Sequence, residues 1–81
     1  MGRGLLNILF MAFLDEIVRR AWINAGEKCE RCYRELLWNS RGLESEYGWE
    51  AHHRNADGPD SLDNCEILCQ ECHKNTQSYG G

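Results

Sequence analysis

The sequence has little positive charge: nine lysine and arginine residues stand against 13 aspartate and glutamate residues, for a net charge of −4. A protein that binds nucleic acid ordinarily presents a basic face, and phosphate neutralisation supplies most of its non-specific affinity. The composition therefore predicts weak binding to DNA by this chain alone. Binding would depend on a few local arginines and a metal ion, or on a larger partner that supplies the basic surface.

The sequence also lacks a hydrophobic run long enough to cross a bilayer. Residues 5–14 are mostly apolar, but Asp15 and Glu16 follow them directly, and a spanning helix needs about 20 apolar residues. The first residues show no small-x-small cleavage site of the kind that ends a secretory signal. We therefore expect a cytoplasmic protein in a reducing compartment, with no membrane partner.

The sequence also lacks an even number of cysteines, since it contains five. A complete disulfide framework cannot use all of them. Four form two Cys-x-x-Cys pairs, Cys29 with Cys32 and Cys69 with Cys72, which is the spacing of a tetrahedral zinc site with four cysteine ligands. Reduced free thiols are the alternative, but they leave the two matched spacings unexplained.

A structural zinc ion also suits the small size of the chain. A single domain of 81 residues has a marginal apolar core, and metal binding contributes directly to its folding. Protein would fill all four ligand positions, so this ion would keep no open position for chemistry. The fifth cysteine, Cys65, is predicted to be a small buried hydrophobe.

Periodicity predicts an amphipathic helix in residues 1–26. Residues 5–25 have helical spacing and end at Gly26 as a C-cap. The face predicted to be buried carries Leu6, Leu9, Phe10, Phe13, Ile17, Arg20 and Ala21. We expect this helix to pack on the rest of the chain. Docking or dimerisation is the alternative, because the apolar surface is large for so small a body.

Residues 27–81 are predicted to form a second unit. Its elements are a zinc-knuckle turn at residues 27–33, a short strand at 36–38, and then strand, loop, strand and helix at 49–54, 56–62, 64–68 and 69–77. Trp38, Tyr47 and Trp49 are interpreted as core residues rather than as platforms on which bases stack.

Three histidines remain after the cysteines are assigned. His73 follows Cys72 on the predicted helix, where successive side chains diverge by about 100°, so it should face away from the zinc ion and toward the hairpin. His52 and His53 lie on the strand that this helix would cover. Two alternatives stay open: a histidine could replace one cysteine as a zinc ligand, or the histidines could be exposed and inert.

These residues, with one asparagine, stand in a fixed order: Cys29-x-x-Cys32, His52-His53, Asn64 and Cys69-x-x-Cys72-His73. In order and spacing the set resembles the HNH endonuclease family over residues 29–77. The resemblance implies an α+β fold, a small ββα-metal domain stapled by the four-cysteine zinc site, with the N-terminal helix lying outside it.

The resemblance also implies a role for each residue of a catalytic site. His52 and His73 would bind a catalytic divalent ion, His53 would be the general base, and Asn64 would brace the loop and orient the base. Arg54 follows the base directly and could clamp a phosphate of the nucleic acid, although a surface ion pair is an equal alternative. The other candidates for phosphate contact are Arg31, Arg34, Arg41 and Lys74.

One requirement of these roles is geometric. Neighbouring strand residues point to opposite faces, so the strand must twist or end at His52 and His53 if both are to reach one phosphate. Glu50 would share a strand face with His52 and could orient it.

The implied activity is hydrolysis of a DNA phosphodiester. A neutral imidazole, with an ordinary pKa of about 6.5, can take a proton from water at neutral pH, and a divalent ion can stabilise the leaving oxygen. Two protein ligands leave positions for water and phosphate, which suits Mg²⁺ or Mn²⁺, and imidazole ligands favour Mn²⁺.

We therefore expect a metal-dependent DNA endonuclease that nicks one strand with low sequence specificity, as a monomer or as a weak dimer through the N-terminal helix. One alternative is a non-catalytic zinc-binding interaction module. The other is a subunit of a phage-type complex whose partner is a larger DNA-processing protein.

Overall fold

The computed structural model describes residues 13–76. In chain order its main elements are helix α1 (Asp15–Asn24), strand β1 (Trp49–His53), strand β2 (Cys65–Cys69) and helix α2 (Gln70–Lys74), with 3₁₀ turns at Trp38–Ser40 and Leu62–Asn64. The α+β class and the order strand, strand, helix are as predicted. The predictions for residues 5–12 and for residue 77 lie outside the described residues.

The two strands form an antiparallel hairpin that lies between the two helices. Trp49 is opposite Cys69 at one end of the hairpin, and His53 is opposite Cys65 at the other. Side chains alternate between the faces of a strand. The face that carries Trp49 and His53 therefore meets α1, and the face that carries His52 meets α2.

Helix α1 begins at Asp15, so the prediction of one continuous helix over residues 5–25 is wrong. Leu14 is extended, with φ −63° and ψ 145°, which an α-helix cannot include. Asp15 and Glu16 lie in the first turn, where the helix dipole favours negative charge. The local chemistry therefore favours a helix start at this point.

The later start also changes which residues face the core. Val18, Ala21 and Trp22 are buried at the spacing of one helical face, whereas Arg20, the one charged residue on the predicted apolar face, is exposed. Phe13 is buried, as predicted, but it precedes the helix.

Gly26 ends the helix, as predicted. Its φ of +71° is in the left-handed region that favours glycine. The N–H of Gly26 donates to the carbonyl of Ile23, and the N–H of Glu27 donates to that of Trp22. These two bonds form a Schellman motif, which satisfies the last carbonyls of the helix.

Three tryptophans make the centre of the core. The rings of Trp22 and Trp49 stack with centroids 4.6 Å apart, and Trp38 meets Trp22 edge-on at 5.6 Å. The guanidinium of Arg19 lies 4.6 Å from the Trp38 ring centre. Trp38 and Trp49 are therefore packing residues, as predicted, whereas Tyr47 is exposed.

The strand predicted at residues 36–38 is wrong. Trp38 begins a 3₁₀ turn, and the carbonyl of Leu37 accepts a hydrogen bond from the indole Nε1 of Trp49 at 2.8 Å. Leu36 is buried in the core. The backbone of this segment makes isolated hydrogen bonds to residues 27 and 47, but it is not part of the two-stranded sheet.

Within residues 13–76, no helix combines the length and apolar character that spanning a bilayer would take.

Candidate metal centres and phosphate cleft

The four paired cysteines converge on one point. Their Sγ atoms all lie within 4.8 Å of one another, and the Sγ atoms of Cys32 and Cys69 are 3.7 Å apart. Four sulfurs at about 2.3 Å from one tetrahedral ion are about 3.8 Å from each other. The thiols are free rather than bridged. Cys29, Cys32, Cys69 and Cys72 are therefore positioned to hold a metal ion.

Backbone N–H groups around the cluster already favour the thiolate form at one position. Burial opposes ionisation of Cys29, but N–H groups of Cys69, Cys32 and Arg31 outweigh it and lower the pKa of Cys29 to about 7. At Cys72, burial and then the neighbouring thiols raise the pKa above its ordinary value. A bound cation would displace the protons that such thiols retain.

The fifth cysteine takes no part in the cluster. Cys65 lies at the start of β2, fully inside the core. Burial, followed by the charge of Glu30, raises its pKa to about 11. A thiol in this state is inert, which confirms the prediction of a small buried hydrophobe.

His52 and His73 come together on the α2 face of the hairpin. Their ring centroids are 5.4 Å apart and the rings cross at 71°. Two imidazoles that bind one ion, each at about 2.1 Å, have ring centres about 5 Å apart, so this pair fits a shared cation. Burial, and then the neighbouring His73, lowers the pKa of His52. Both effects favour the neutral imidazole, which is the form that binds metals.

His53 lies on the other face. Pairing is regular through both histidines, with His52 opposite Glu66 and His53 opposite Cys65. The strand ends at His53, but it does not twist in a way that brings both rings to one side. The ring of His53 stacks on Phe13 at 4.0 Å. The rings of His52 and His73 thus lie next to each other, and the ring of His53 lies on the opposite face of the hairpin.

A carboxylate holds the ring of His53 from the loop side. The Nε2 atom lies 2.7 Å from Oδ1 of Asp60. A carboxylate only accepts hydrogen bonds, so this contact assigns the proton of a neutral ring to Nε2 and leaves Nδ1 as the acceptor. The side chain of His53 is 24% exposed, and that of Asp60 is 48% exposed.

Asn64 makes three hydrogen bonds to the loop between the strands. Its Oδ1 accepts from the N–H of Asn55, and its Nδ2 donates to the carbonyls of Asn55 and Pro59. A Cβ atom at Gly58 would come within 2.9 Å of Nδ2, so the loop packs closely on this amide. Pro59, whose carbonyl accepts from Asn64, directly precedes Asp60, which contacts His53.

A cleft of about 500 Å³ opens beside His52. Its lining includes Arg31 and Arg54, together with Asn75 and Thr76 after helix α2. Two basic side chains next to a candidate metal pair form a polar concavity of a kind that suits a phosphate.

The two arginines are held by two carboxylates. Arg31 makes a two-pronged contact with Glu66, with Nε and Nη2 each 3.0 Å from a carboxylate oxygen. Arg54 makes the ion pair that was its alternative role, since Nη2 lies 2.8 Å from Oε1 of Glu30. Arg54 also lies 3.4 Å from Glu66.

Sequence reasoning missed two of these residues, Glu66 and Asp60, and it gave the third, Arg31, only as one of several basic residues that could contact phosphate. Glu66 lies opposite His52 on the hairpin, Asp60 contacts His53, and Arg31 reaches the cleft from the zinc-knuckle turn. The alternation of β2 could have indicated Glu66, since a charged residue stands there in an apolar strand. The carboxylate of Glu50, which the sequence offered as a group that could orient His52, accepts a hydrogen bond from Gln70.

Comparison with known protein families matches residues 29–78 to the family described as HNH endonuclease. No curated protein and no solved structure matches the chain.

Proposed function

This chain belongs to the HNH endonuclease family, and from that premise we propose that it is a divalent-metal-dependent DNA endonuclease that nicks one strand. Membership supports nuclease activity in general. The observation that carries the specific proposal is the pair His52 and His73, with rings 5.4 Å apart beside a cleft that contains Arg31 and Arg54.

In this proposal His52 and His73 hold the catalytic ion. The ion, when bound, would engage a phosphate oxygen and stabilise the departing 3′ oxygen. Imidazole ligands lead us to expect Mn²⁺ to support activity at least as well as Mg²⁺. The other site, formed by the four cysteines, would hold structural Zn²⁺ with no position open for chemistry.

His53 is the proposed general base. Its contact with Asp60 leaves Nδ1 to take the proton of the attacking water. The phosphate would then lie at the end of β1, where the strand stops at His53 and where side chains from both faces can approach one group. Asn64 keeps the loop, and with it Asp60, in position.

The charge of the chain and its single catalytic site suggest how it would act on DNA. One site in one chain cuts one strand per encounter, and the net charge of −4 predicts weak binding to DNA with low sequence specificity. We propose an intracellular protein, monomeric or weakly dimeric through its N-terminal helix. A larger DNA-processing protein, as in a phage-type complex, would supply the basic surface.

A second candidate function is a non-catalytic zinc-binding interaction module. The observation that favours it is the position of His53, which lies on the opposite face from His52, stacked on Phe13 and bonded to Asp60. In that case the cysteine cluster would support a fold whose histidines are not used for hydrolysis.

Relaxation of supercoiled plasmid distinguishes the two functions. Wild-type protein would be incubated with Mn²⁺, with Mg²⁺ or with chelator, beside His53→Ala and beside the control Arg34→Ala, which removes only an exposed ion pair with Glu71. We expect metal-dependent open-circle product from the wild type and the control alone. Equal cutting by His53→Ala would reject the base, and no cutting by any of the three would favour the interaction module.

A further inference from the structure

The cleft beside His52 contains two arginines whose hydrogen bonds differ. Arg31 comes from the turn between Cys29 and Cys32, and Arg54 follows the end of β1. Both line the cleft, and their side chains are 46% and 44% exposed. The two side chains are therefore equally exposed. Which of them can bind a further group depends on how many of its guanidinium N–H groups already donate to the protein.

Every guanidinium nitrogen of Arg54 contacts an acceptor within the protein. Nε donates to the carbonyl of Asp63 at 3.1 Å, and Nη2 donates to Glu30 at 2.8 Å. Nη1 lies 3.4 Å from Glu66. Glu30 in turn accepts from the N–H of Ile67. Arg54 thus joins the zinc-knuckle turn, the loop and β2, and its bonding is that of a structural residue.

One edge of the Arg31 guanidinium donates hydrogen bonds to Glu66, and the other edge is available to bind a further group. Nε and Nη2 donate side-on to the two oxygens of Glu66, at 3.0 Å each. A guanidinium has five N–H donors in a rigid plane. Two of them meet Glu66, so the end-on edge formed by Nη1 and the second hydrogen of Nη2 keeps the fork geometry that matches a phosphate.

Glu66 holds that edge in place. Its side chain is only 7% exposed, and it lies opposite His52 in the hairpin. A guanidinium that is fixed before binding loses less conformational freedom when it binds. The carboxylate thus orients Arg31 at the cleft that His52 also lines.

We propose that Arg31 binds a backbone phosphate of DNA in this cleft, with Glu66 as its positioning residue, and that Arg54 is structural. This inference rests on the proposed function for its substrate class and names the phosphate contact of that same site. Of the two roles that the sequence left open for Arg54, it assigns the ion pair, and it selects Arg31 from the other candidates for phosphate contact.

The test is a binding measurement that does not depend on cutting. Fluorescence anisotropy of a labelled DNA duplex would be followed across a salt series with Mn²⁺ present, in a His53→Ala background that leaves the duplex intact. Arg31→Gln, Arg54→Gln and the control Arg34→Gln would be compared in that background. Zinc content and thermal unfolding of each variant would establish that it is folded.

We expect Arg31→Gln to weaken binding by roughly tenfold to a hundredfold, as for a lost hydrogen bond between charged groups. The slope of log K against log salt should become shallower by about 0.9, which corresponds to one phosphate contact. Arg54→Gln should lower the melting temperature and leave the slope unchanged, and Arg34→Gln should change neither.

If Arg31→Gln does not fold, Arg31→Lys serves instead. It should keep the slope and still bind more weakly, because an ammonium cannot span Glu66 and a phosphate together.

Three outcomes would overturn the inference. Arg31→Gln could bind the duplex with the affinity and the salt slope of the His53→Ala protein, or the slope could become shallower in Arg54→Gln instead. The third outcome is that the His53→Ala protein does not bind the duplex at all. Plasmid relaxation by the wild type is measured separately. If the wild type does not nick DNA but Arg31→Gln still loses one phosphate contact, the nuclease proposal fails and the phosphate site stands.

Discussion

The rings of His52 and His73 lie 5.4 Å apart and cross at 71°, although one residue belongs to a strand and the other to a helix. The hairpin and α2 bring them together because Cys69 both ends β2 and caps the first turn of α2 through its sulfur. Any ion at the cysteine cluster therefore stabilises the same turn that aims His73 at His52. Cys69 thus connects the two candidate metal centres, because it belongs to the cysteine cluster and also caps the helix that carries His73.

We predict that His73→Ala abolishes catalytic metal binding while leaving the zinc cluster intact. Mn²⁺ titration of the zinc-loaded protein, monitored by calorimetry, should lose its high-affinity event, and plasmid nicking should fall by at least about a hundredfold. His53→Ala is the matched control, because it should lose nicking but retain Mn²⁺ binding. Unchanged Mn²⁺ affinity in His73→Ala would remove His73 from the proposed ligand set.

We predict that the cysteine cluster holds one zinc ion on which folding depends. Zinc removal, or Cys32→Ser, should abolish cooperative thermal unfolding, because binding to such sites contributes on the order of 10 kcal/mol to folding. Cys65→Ala should retain one zinc per chain, since Cys65 lies outside the cluster. Cooperative unfolding of fully zinc-free protein at an unchanged temperature would contradict this prediction.

We predict that Asp60→Asn reduces nicking by about tenfold or more without unfolding the protein. The carboxylate contact at 2.7 Å assigns the proton of His53 to Nε2, and an amide can either accept or donate, so the assignment is lost. Asp57→Asn, in the same loop, is the control for a general loss of negative charge. Rates and melting temperatures would be measured together, and equal rates in the two variants would argue against a positioning role for Asp60.

We predict that Gly48→Ala destabilises the fold more than Gly26→Ala does. A Cβ atom at Gly48 would lie 1.8 Å from the carbonyl oxygen of Leu43, so the backbone must move, at a cost of roughly 3 kcal/mol. At Gly26 the space is open, and only the positive φ opposes alanine, by about 1 kcal/mol. Urea unfolding of both variants measures the difference, and the reverse order would show that the 43–48 turn adapts freely.

The ββα arrangement and the cluster of four cysteines could be predicted from the sequence because both depend on spacing. Two Cys-x-x-Cys turns each bring two sulfurs together locally, and alternation and turn residues indicate the hairpin. The convergence of all four cysteines then follows from the hairpin between them. The division of the chain at residue 26 stays a prediction, as do the roles of the individual histidines.

The start of α1 and the segment before β1 could not be predicted in this way. Periodicity alone cannot show that Leu14 is extended, and the apolar run at residues 36–38 is compatible with a strand until Trp49 takes the carbonyl of Leu37. Both outcomes depend on which large side chains fill the core. Core packing selects among local conformations of similar energy.

By itself the sequence determined the class of fold, the four cysteines that converge and the candidate histidines, because these depend on residue type and on short, fixed separations. Only the tertiary structure decided that His53 meets Phe13 and Asp60 rather than the face of His52, and that Glu66 holds Arg31 from 35 residues away. These contacts join segments distant in the chain. Their partners are set by strand register, by the phase of α1 and by the filling of the core, which no local pattern of residues contains.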